Sequence, residues 1–202
     1  VEFLLIPNVK LYGELFIDDL FTSRLGSGYF GNKTAFLTGG LWVDAFKIPN
    51  LDGRIEYART RPFIYAHRNP LNSYSHFSTG LGHWIGPNAD DFYLRLQYRL
   101  SKSLFMAMDF ESYRHGANEP GRNVGGDLNQ DNFSKTEENF KFLEGIRERR
   151  NRFGFEMNYE VFRNFYLSLK FNSASSRNML LPGGQRGPVS RNEVAFNLSL
   201  NR

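Results

Sequence analysis

Acidic and basic side chains recur at every second position along several segments, a spacing that could support catalysis, ion selection or structural pairing. Two carboxylates on one face could act as the acid and base of a glycosidase. Basic residues interleave with these carboxylates and can neutralise them. We therefore predict a network of paired charges on one face of the strands, which would line the lumen if the strands form a barrel. We predict no catalytic residue and no enzymatic activity. The predicted network comprises Glu14, Asp18, Asp44, Arg95, Arg99, Asp109, Glu111, Arg152, Glu156 and Lys170.

The four histidines are the other candidates for chemistry. His67, His76, His83 and His115 all fall in or beside predicted loops. Their spacing matches no metal-ligand pattern, and no nucleophile motif surrounds a serine that could pair with His76 or His83. The chain also has no cysteine, which removes thiolate chemistry. We therefore predict no metal site and no cofactor.

Aromatic and polar residues that suit carbohydrate recognition are concentrated in one predicted loop. An aromatic ring packs against the C–H face of a sugar, while amides and carboxylates bond to its hydroxyls. Tyr74, Trp84, Asn88 and Asp90 supply both kinds of group and are the predicted polysaccharide-binding residues. The alternative for Asn88 and Asp90 is that they cap backbone groups where the loop turns into a strand.

The alternation that positions these groups is clearest along residues 92–112. Apolar and polar residues alternate on both sides of a polar turn at 101–103, which is the signature of a β-hairpin. Parity is preserved across a three-residue turn, so Arg95 is predicted to lie opposite Asp109. One face of the hairpin is apolar, and the other is charge-matched.

The same period of two recurs along eight segments. Arg59 and Arg61 interrupt it by falling on the apolar side of the third strand, which implies a bulge or an exit from a membrane. Pairing across a three-residue turn at 162–164 is predicted to set Glu156 opposite Lys170. The predicted strands span residues 8–18, 35–45, 54–65, 92–100, 104–112, 152–160, 165–172 and 194–200.

The connections between predicted strands alternate between short and long. Short turns follow strands two, four and six, and longer loops follow strands one, three, five and seven, the last around residues 182–188. Outer-membrane barrels have short periplasmic turns and long extracellular loops. We therefore predict an all-β, antiparallel transmembrane barrel in the bacterial outer membrane, with its C-terminus in the periplasm and lipid against its apolar face. A soluble barrel or sandwich is the alternative.

Composition is compatible with this prediction. Aromatic residues make up 16% of the 202 residues, yet mean hydropathy is −0.47, as expected when half of each strand and the loops are polar. No apolar run reaches the roughly 18 residues that a transmembrane helix needs. The 25 basic and 21 acidic residues are mixed along the chain, which gives no support to nucleic-acid binding.

Three stretches resemble the Wzi-like capsule-assembly family of outer-membrane proteins. They are LYGELFIDD at 11–19, EYARTRPFIYAH at 56–67 and LGHWIGPNAD at 81–90. The family's barrel is larger and carries a helical N-terminal region that this sequence lacks. We therefore expect residues 1–202 to form a single β-barrel domain, or the C-terminal portion of one, whose first and last strands pair with strands outside this chain.

The resemblance implies that the protein binds and anchors capsular or other surface polysaccharide in a lectin-like way, without catalysis. A porin-like channel for small solutes is the alternative, in which lumen charges select solutes by their sign. Tyr74, Trp84 and the asparagine-rich segment 117–132 favour binding. The expected partners are outer-membrane lipid and the polysaccharide.

Overall fold

The computed structural model describes residues 1–77, 79–135 and 137–200. They form one nine-stranded antiparallel sheet and a separate two-stranded ribbon. The described residues contain no helix long and apolar enough to cross a membrane. The strands are β1 Glu2–Ile6, β2 Val9–Asp19, β3 Lys33–Trp42, β4 Leu51–Thr60, β5 Ser75–His76, β6 Thr79–Gly80, β7 Ala89–Arg99, β8 Leu104–Ala117, β9 Ile146–Phe162, β10 Phe165–Leu180 and β11 Arg186–Leu200, and the 3₁₀ turns are Thr22–Arg24, Ala45–Lys47 and Pro70–Asn72.

The large sheet is a meander in the order β1-β2-β3-β4-β7-β8-β9-β10-β11. The all-β antiparallel prediction is confirmed, and each of the eight predicted strands is present with shifted bounds. The strand β1 is an additional, ninth member. It pairs with β2, so the expectation that the first predicted strand pairs with a strand outside this chain is wrong. Within the described residues the sheet does not close, since β1 pairs only with β2 and β11 only with β10.

The two predicted registers are confirmed. Arg95 pairs with Asp109 across β7 and β8, and Glu156 pairs with Lys170 across β9 and β10. The predicted three-residue turn before β10 is wrong, because Phe162 pairs directly with Phe165 and the register shifts by one residue immediately afterwards. Asn164 makes the tighter turn possible with a φ of 67°, a conformation that asparagine tolerates better than most residues.

Three predicted boundaries need correction. The register of β4 with both neighbours is continuous, so the bulge proposed near Arg59 is wrong. The loop predicted around 182–188 shrinks to residues 181–185, because β10 and β11 extend along each other as far as Leu180 and Arg186. Proline at 188 is compatible with β11, which is an edge strand. Asp44 lies in the turn after β3 rather than on the strand.

The two faces of the large sheet differ in chemistry. We call the face that carries Arg95 and Asp109 the polar face, and the face that carries Leu94 and Met108 the apolar face. Leu94 is 36% exposed and Met108 46% exposed along the middle of this face. An exposed apolar surface of this kind marks contact with a membrane or a partner.

Most of the buried residues lie instead at the long-loop end of the sheet. Loops 20–32, 61–88 and 118–145 pack together there, and a cluster of Phe63, Val124 and Phe140, with Phe30 against it, forms their common core. The three rings meet edge-on or tilted, with the Phe63 and Phe140 centroids 4.9 Å apart. These loops therefore form a packed cap that fixes the residues at the mouth of the sheet.

Candidate functional site

A cleft with two adjoining halves lies between the polar face and loop 61–88. Its two halves share Leu37, Ala58 and His83. Aromatic rings and carboxylates line both halves, a combination suited to a polyhydroxylated ligand. The other lining residues are Glu14, Phe16, Ala35, Phe36, Thr60, Tyr65, Tyr74, Leu81 and Gly82 in one half, and Arg54, Glu56, Trp84, Asp91, Tyr93 and Glu111 in the other.

Loop 61–88 is tied to the end of β2 by Asp18. The Asp18 carboxylate accepts a hydrogen bond from the Tyr65 backbone N–H at 3.1 Å and lies 3.1 Å from Nε2 of His67. The buried Lys33 ammonium reaches the same region and donates to the Ala66 carbonyl at 2.8 Å. Asp18, predicted as a lumen charge, therefore anchors loop 61–88, which forms one wall of the cleft.

Trp84 stands at one half of the cleft with one ring face supported. Its ring centroid lies 5.6 Å from that of Tyr113 at an interplanar angle of 30°, and the Arg150 guanidinium lies 5.4 Å from its ring centroid. The Tyr113 hydroxyl also donates to the Ile85 carbonyl in the same loop at 3.2 Å. Trp84 nonetheless stays 57% exposed, so a ring surface remains open to a ligand.

Tyr74 occupies the other half of the cleft. Its ring lies 6.0 Å from the rings of both Phe16 and Tyr65, and its backbone N–H donates to the Tyr65 carbonyl at 2.9 Å. It is 44% exposed. The fold thus brings two of the four predicted binding residues, Tyr74 and Trp84, to one cleft.

The other two predicted binding residues lie elsewhere. Asn88 is fully buried, and its amide bonds to the Gly116 and Glu144 carbonyls and the Leu143 backbone N–H at 2.8–3.0 Å. Asp90 is only 1% exposed and lies on the apolar face, where it accepts hydrogen bonds from Arg114 and the Tyr57 hydroxyl. Neither side chain lines the cleft.

His83 lies where the two halves of the cleft meet. Burial lowers the pKa of His83, although the negative charges of Glu56 and Glu14 act in the opposite direction. The Ile85 backbone N–H donates to Nδ1 at 3.4 Å, which requires that nitrogen to be unprotonated. The imidazole is therefore neutral near pH 7 and offers its Nε2–H as a donor.

The sequence analysis did not single out the cleft groups on β4. Arg54 donates to Glu56 at 2.6 Å, and the Tyr12 hydroxyl donates to the same carboxylate. The alternation of Arg54 and Glu56 along the third predicted strand was the available signal. What remained hidden was that loop 61–88 would fold over this part of the sheet.

Six of the predicted lumen charges form a ladder on the polar face. Asp109 lies 2.9 Å from Arg152 and 3.7 Å from Arg95, and Glu111 lies 3.4 Å from Arg152. Glu156 lies 3.9 Å from Arg95 and 3.6 Å from Lys170. Arg150, which was not predicted, extends the ladder with an ion pair to Glu111 at 3.0 Å.

The remaining predicted charges are not part of this ladder. Glu14 lines the cleft. Asp44 accepts a hydrogen bond from the Asn50 backbone N–H at 2.7 Å within the short turn. Arg99 lies 5.7 Å from the Phe105 ring centroid, close to the short-turn end of the sheet.

The asparagines of segment 117–132 mainly organise their own loop. The Asn118 side-chain oxygen accepts from the Val124 and Gly126 backbone N–H groups, both at 3.0 Å. The Asn123 amide donates to the Asp131 carbonyl at 3.0 Å and to Ser134 Oγ at 2.9 Å. These amides fold the cap rather than present a binding surface.

The four histidines occupy different environments. His67 faces Asp18, His76 belongs to β5, His83 lies in the cleft, and His115 lies 2.8 Å from Glu148. The described residues contain no group of three or more His, Cys, Asp or Glu side chains that could hold a metal ion. The lining of the cleft offers hydrogen bonds, charge and aromatic surface.

A family comparison decides what kind of protein carries this cleft. The model of the capsule assembly protein Wzi family matches residues 3–187, nearly the whole chain. The chain belongs to this family. No curated protein and no solved structure matches it. Membership in this family of outer-membrane proteins, together with the antiparallel all-β sheet, supports a capsule-related function at the outer membrane.

Proposed function

We propose that the chain binds and anchors capsular or other surface polysaccharide at the outer membrane without catalysis. The observation that carries the proposal is the cleft of aromatic rings and carboxylates between the polar face and loop 61–88. Trp84 and Tyr74 supply ring faces for sugar C–H groups. Glu56, His83 and Arg54 supply acceptors and donors for sugar hydroxyls.

The difference between the two faces of the sheet supports a placement in the membrane. The apolar face lies against lipid and the polar face lines the interior of a barrel to which this sheet contributes. The loops 20–32, 61–88 and 118–145 and the connection 181–185 share one end of the sheet, and we place that end outside the cell. The C-terminus then lies on the periplasmic side.

Retention of a polymer does not require a tight single contact. An aromatic pair contributes only about 0.5–1.5 kcal/mol beyond its buried area. A repeating polysaccharide presents many copies of the same unit, so weak contacts on neighbouring protein molecules add through multivalency. An open, half-exposed Trp84 ring fits this mode of binding better than a closed pocket does.

The charge ladder argues against the channel alternative. Acids and bases on the polar face alternate at ion-pair distances across β7 to β10. Such pairing leaves little net field with which to select solutes by their sign. We therefore assign the ladder a structural role and place ligand recognition in the cleft.

The two tryptophans allow a direct test of the cleft. The chain has only Trp42 and Trp84, so the Trp42→Phe variant reports on Trp84 alone. Purified capsular polysaccharide should change the Trp84 emission of this variant in a saturable way. The Trp84→Phe variant, which retains Trp42 on the apolar face, should show no change. Equal responses from the two variants would place binding outside the cleft.

A cellular experiment tests anchoring itself. A strain that lacks the gene should release capsule into the medium, and the wild-type gene should restore cell-bound capsule. Trp84→Ala should restore it only partly, with polysaccharide affinity lowered roughly threefold to tenfold. Phe77→Ala is the matched control, since Phe77 is an exposed aromatic of the same loop that lies outside the cleft.

Conductance in a planar bilayer separates the two functions. Unchanged capsule retention in the deletion strain, together with steady solute-selective conductance of the purified protein, would replace the anchor with the channel. Loss of retention without such conductance supports the anchor.

A further inference from the structure

A row of arginines crosses the apolar face near the long-loop end of the sheet. Arg114 pairs in register with Arg149 on β9, and Arg149 pairs with Arg177 on β10. On the other side Arg114 pairs with Asp90, which pairs with Arg59. Residues in register share a face, so four arginines and a single acid stand side by side on this face.

This row is electrostatically unbalanced. The Arg114 guanidinium donates hydrogen bonds to the Asp90 carboxylate, which neutralises its charge. In the part of the chain that the structure describes, no carboxylate lies within ion-pairing distance of Arg149 or Arg177. Like charges directly opposite each other on neighbouring strands are destabilising. Their presence on exposed positions therefore calls for an anionic partner from outside the chain.

The position of the row on the sheet indicates what that partner is. Below it on the same face comes a polar row, Ser112, Asn151 and Ser175, and then the apolar band that begins with Phe110 and Phe153. At about 3.3 Å per residue, the arginines lie roughly 13 Å along the strands from Phe110. Apolar side chains, small polar ones and then arginines follow the order of acyl chain, interface and headgroup in a bilayer.

We propose that the arginine row, centred on Arg149 and Arg177, binds the phosphate groups of lipid headgroups in the leaflet around the long-loop end. Guanidinium groups bind phosphate oxygens through paired, charge-assisted hydrogen bonds. A bound phosphate would relieve the repulsion within the row. The inference rests on the proposed membrane placement, but it does not depend on polysaccharide binding, because the cleft opens on the opposite face.

Lipid titrations of the purified full chain in non-ionic detergent, followed by native mass spectrometry, test this proposal. Phosphatidic acid should bind more tightly than diacylglycerol with the same acyl chains. Each surface arginine is worth about a fivefold change in affinity for an anionic headgroup, so Arg149→Gln with Arg177→Gln should weaken phosphatidic acid binding roughly 30-fold. The double variant Arg149→Lys with Arg177→Lys keeps both positive charges and should retain most of the affinity for phosphatidic acid.

Arg163→Gln is the matched control, because Arg163 is exposed in the turn at the opposite end of the same strands. It should leave lipid binding unchanged. The glutamine pair removes mutual repulsion and is expected to fold, which an unchanged β-sheet circular dichroism spectrum will show. Equal phosphatidic acid affinity in wild type and the folded glutamine pair would overturn the proposal.

Two further arms identify the source of the anion. Inorganic phosphate alone should not stabilise the protein at concentrations where phosphatidic acid does, and equal stabilisation would overturn the assignment to lipid. Purified polysaccharide should bind the glutamine pair as well as it binds wild type. A glutamine pair that lost the polymer but kept the lipid would make the row a polymer contact and overturn the proposal.

Discussion

The Asp109 carboxylate occupies the space that a β-carbon on Gly154 of the neighbouring strand would need. The two residues pair in register across β8 and β9, and a β-carbon on Gly154 would lie 2.6 Å from Oδ1 of Asp109 and 2.8 Å from Oδ2. Only glycine leaves room for the carboxylate between Arg95 and Arg152. The charge ladder therefore depends on a missing side chain as well as on charged ones.

Replacement of Gly154 with alanine should destabilise the sheet. The new methyl group must displace Asp109 from Arg152, which lies 2.9 Å away. We expect a loss of about 1–3 kcal/mol in the free energy of unfolding, typical of overpacking. Urea unfolding of the protein in detergent or lipid vesicles measures it.

The matched control is Gly53→Ala in β4, where the nearest atom to the new β-carbon is Leu96 Cδ2 at an ordinary 3.5 Å. It should be neutral or slightly stabilising. In an Asp109→Ala background the cost of Gly154→Ala should fall, because the carboxylate that it displaces is gone. An undiminished cost in that background would refute the steric explanation.

The cap at the long-loop end should depend on Gly125. It has a φ of +77°, and a β-carbon there would lie 2.4 Å from the Phe63 ring and 2.5 Å from the Phe63 backbone nitrogen. We expect Gly125→Ala to separate loops 61–88 and 118–145, at a cost of about 2–4 kcal/mol from backbone strain and overpacking together. Limited proteolysis measures this effect, and we expect faster cleavage in both loops while the strands stay intact.

Gly121→Ala isolates the strain from the contact. Gly121 lies in the same loop with a φ of +75°, but nothing lies within 4 Å of its new β-carbon. Gly121→Ala should lower the free energy of unfolding only by the backbone strain at this position, about 1–2 kcal/mol. Equal protease sensitivity in the two variants would mean that packing against Phe63 contributes nothing to the cap.

Acid should loosen loop 61–88 through His83. Burial lowers the pKa of His83 in the folded loop below its usual 6.5, so the open loop binds a proton more readily than the closed one. The stabilising effect of the neutral form is complete above pH 6.5 and declines as the pH falls below it. Trp84 emission in the Trp42→Phe variant should therefore shift on acidification, and the shift should be absent with His83→Gln.

Loop 118–145 should stay folded to a lower pH than loop 61–88. Burial raises the pKa of Glu144, but hydrogen bonds from the Lys141 backbone N–H and from Arg122 outweigh it and leave the pKa below its usual 4.5. Stability from this carboxylate is complete above pH 4.5 and is lost as the pH falls through the lower, folded value. Protease sensitivity of this loop after brief acid exposure should rise at a lower pH than the Trp84 shift, and Glu144→Gln should remove that acid-dependent rise.

The strand pattern could be predicted from the sequence because it is local. Side chains alternate with a period of two, so polarity along residues 92–112 assigned the faces, and equal parity across the turn assigned Arg95 to Asp109. The exact turn between β9 and β10 could not be predicted the same way. It depends on the left-handed conformation of Asn164, which alternation does not report.

The predicted binding residues show where local reasoning ends. Tyr74, Trp84, Asn88 and Asp90 look equivalent along the chain, yet the fold directs the first two into the cleft, buries Asn88 among backbone groups and turns Asp90 to the apolar face. A loop conformation is fixed by contacts with distant segments, such as Phe63 with Phe140. No periodicity in the loop itself encodes those contacts.

The sequence by itself determined the antiparallel β class, the registers of Arg95 with Asp109 and of Glu156 with Lys170, and the resemblance to a capsule-assembly family, because each depends on neighbours along the chain or on short motifs. Only the tertiary structure decided which residues share the cleft, that Gly154 makes room for Asp109, and that Arg114, Arg149 and Arg177 form one row. Those relationships join segments far apart in the chain, and they exist only once long loops and neighbouring strands have packed against each other.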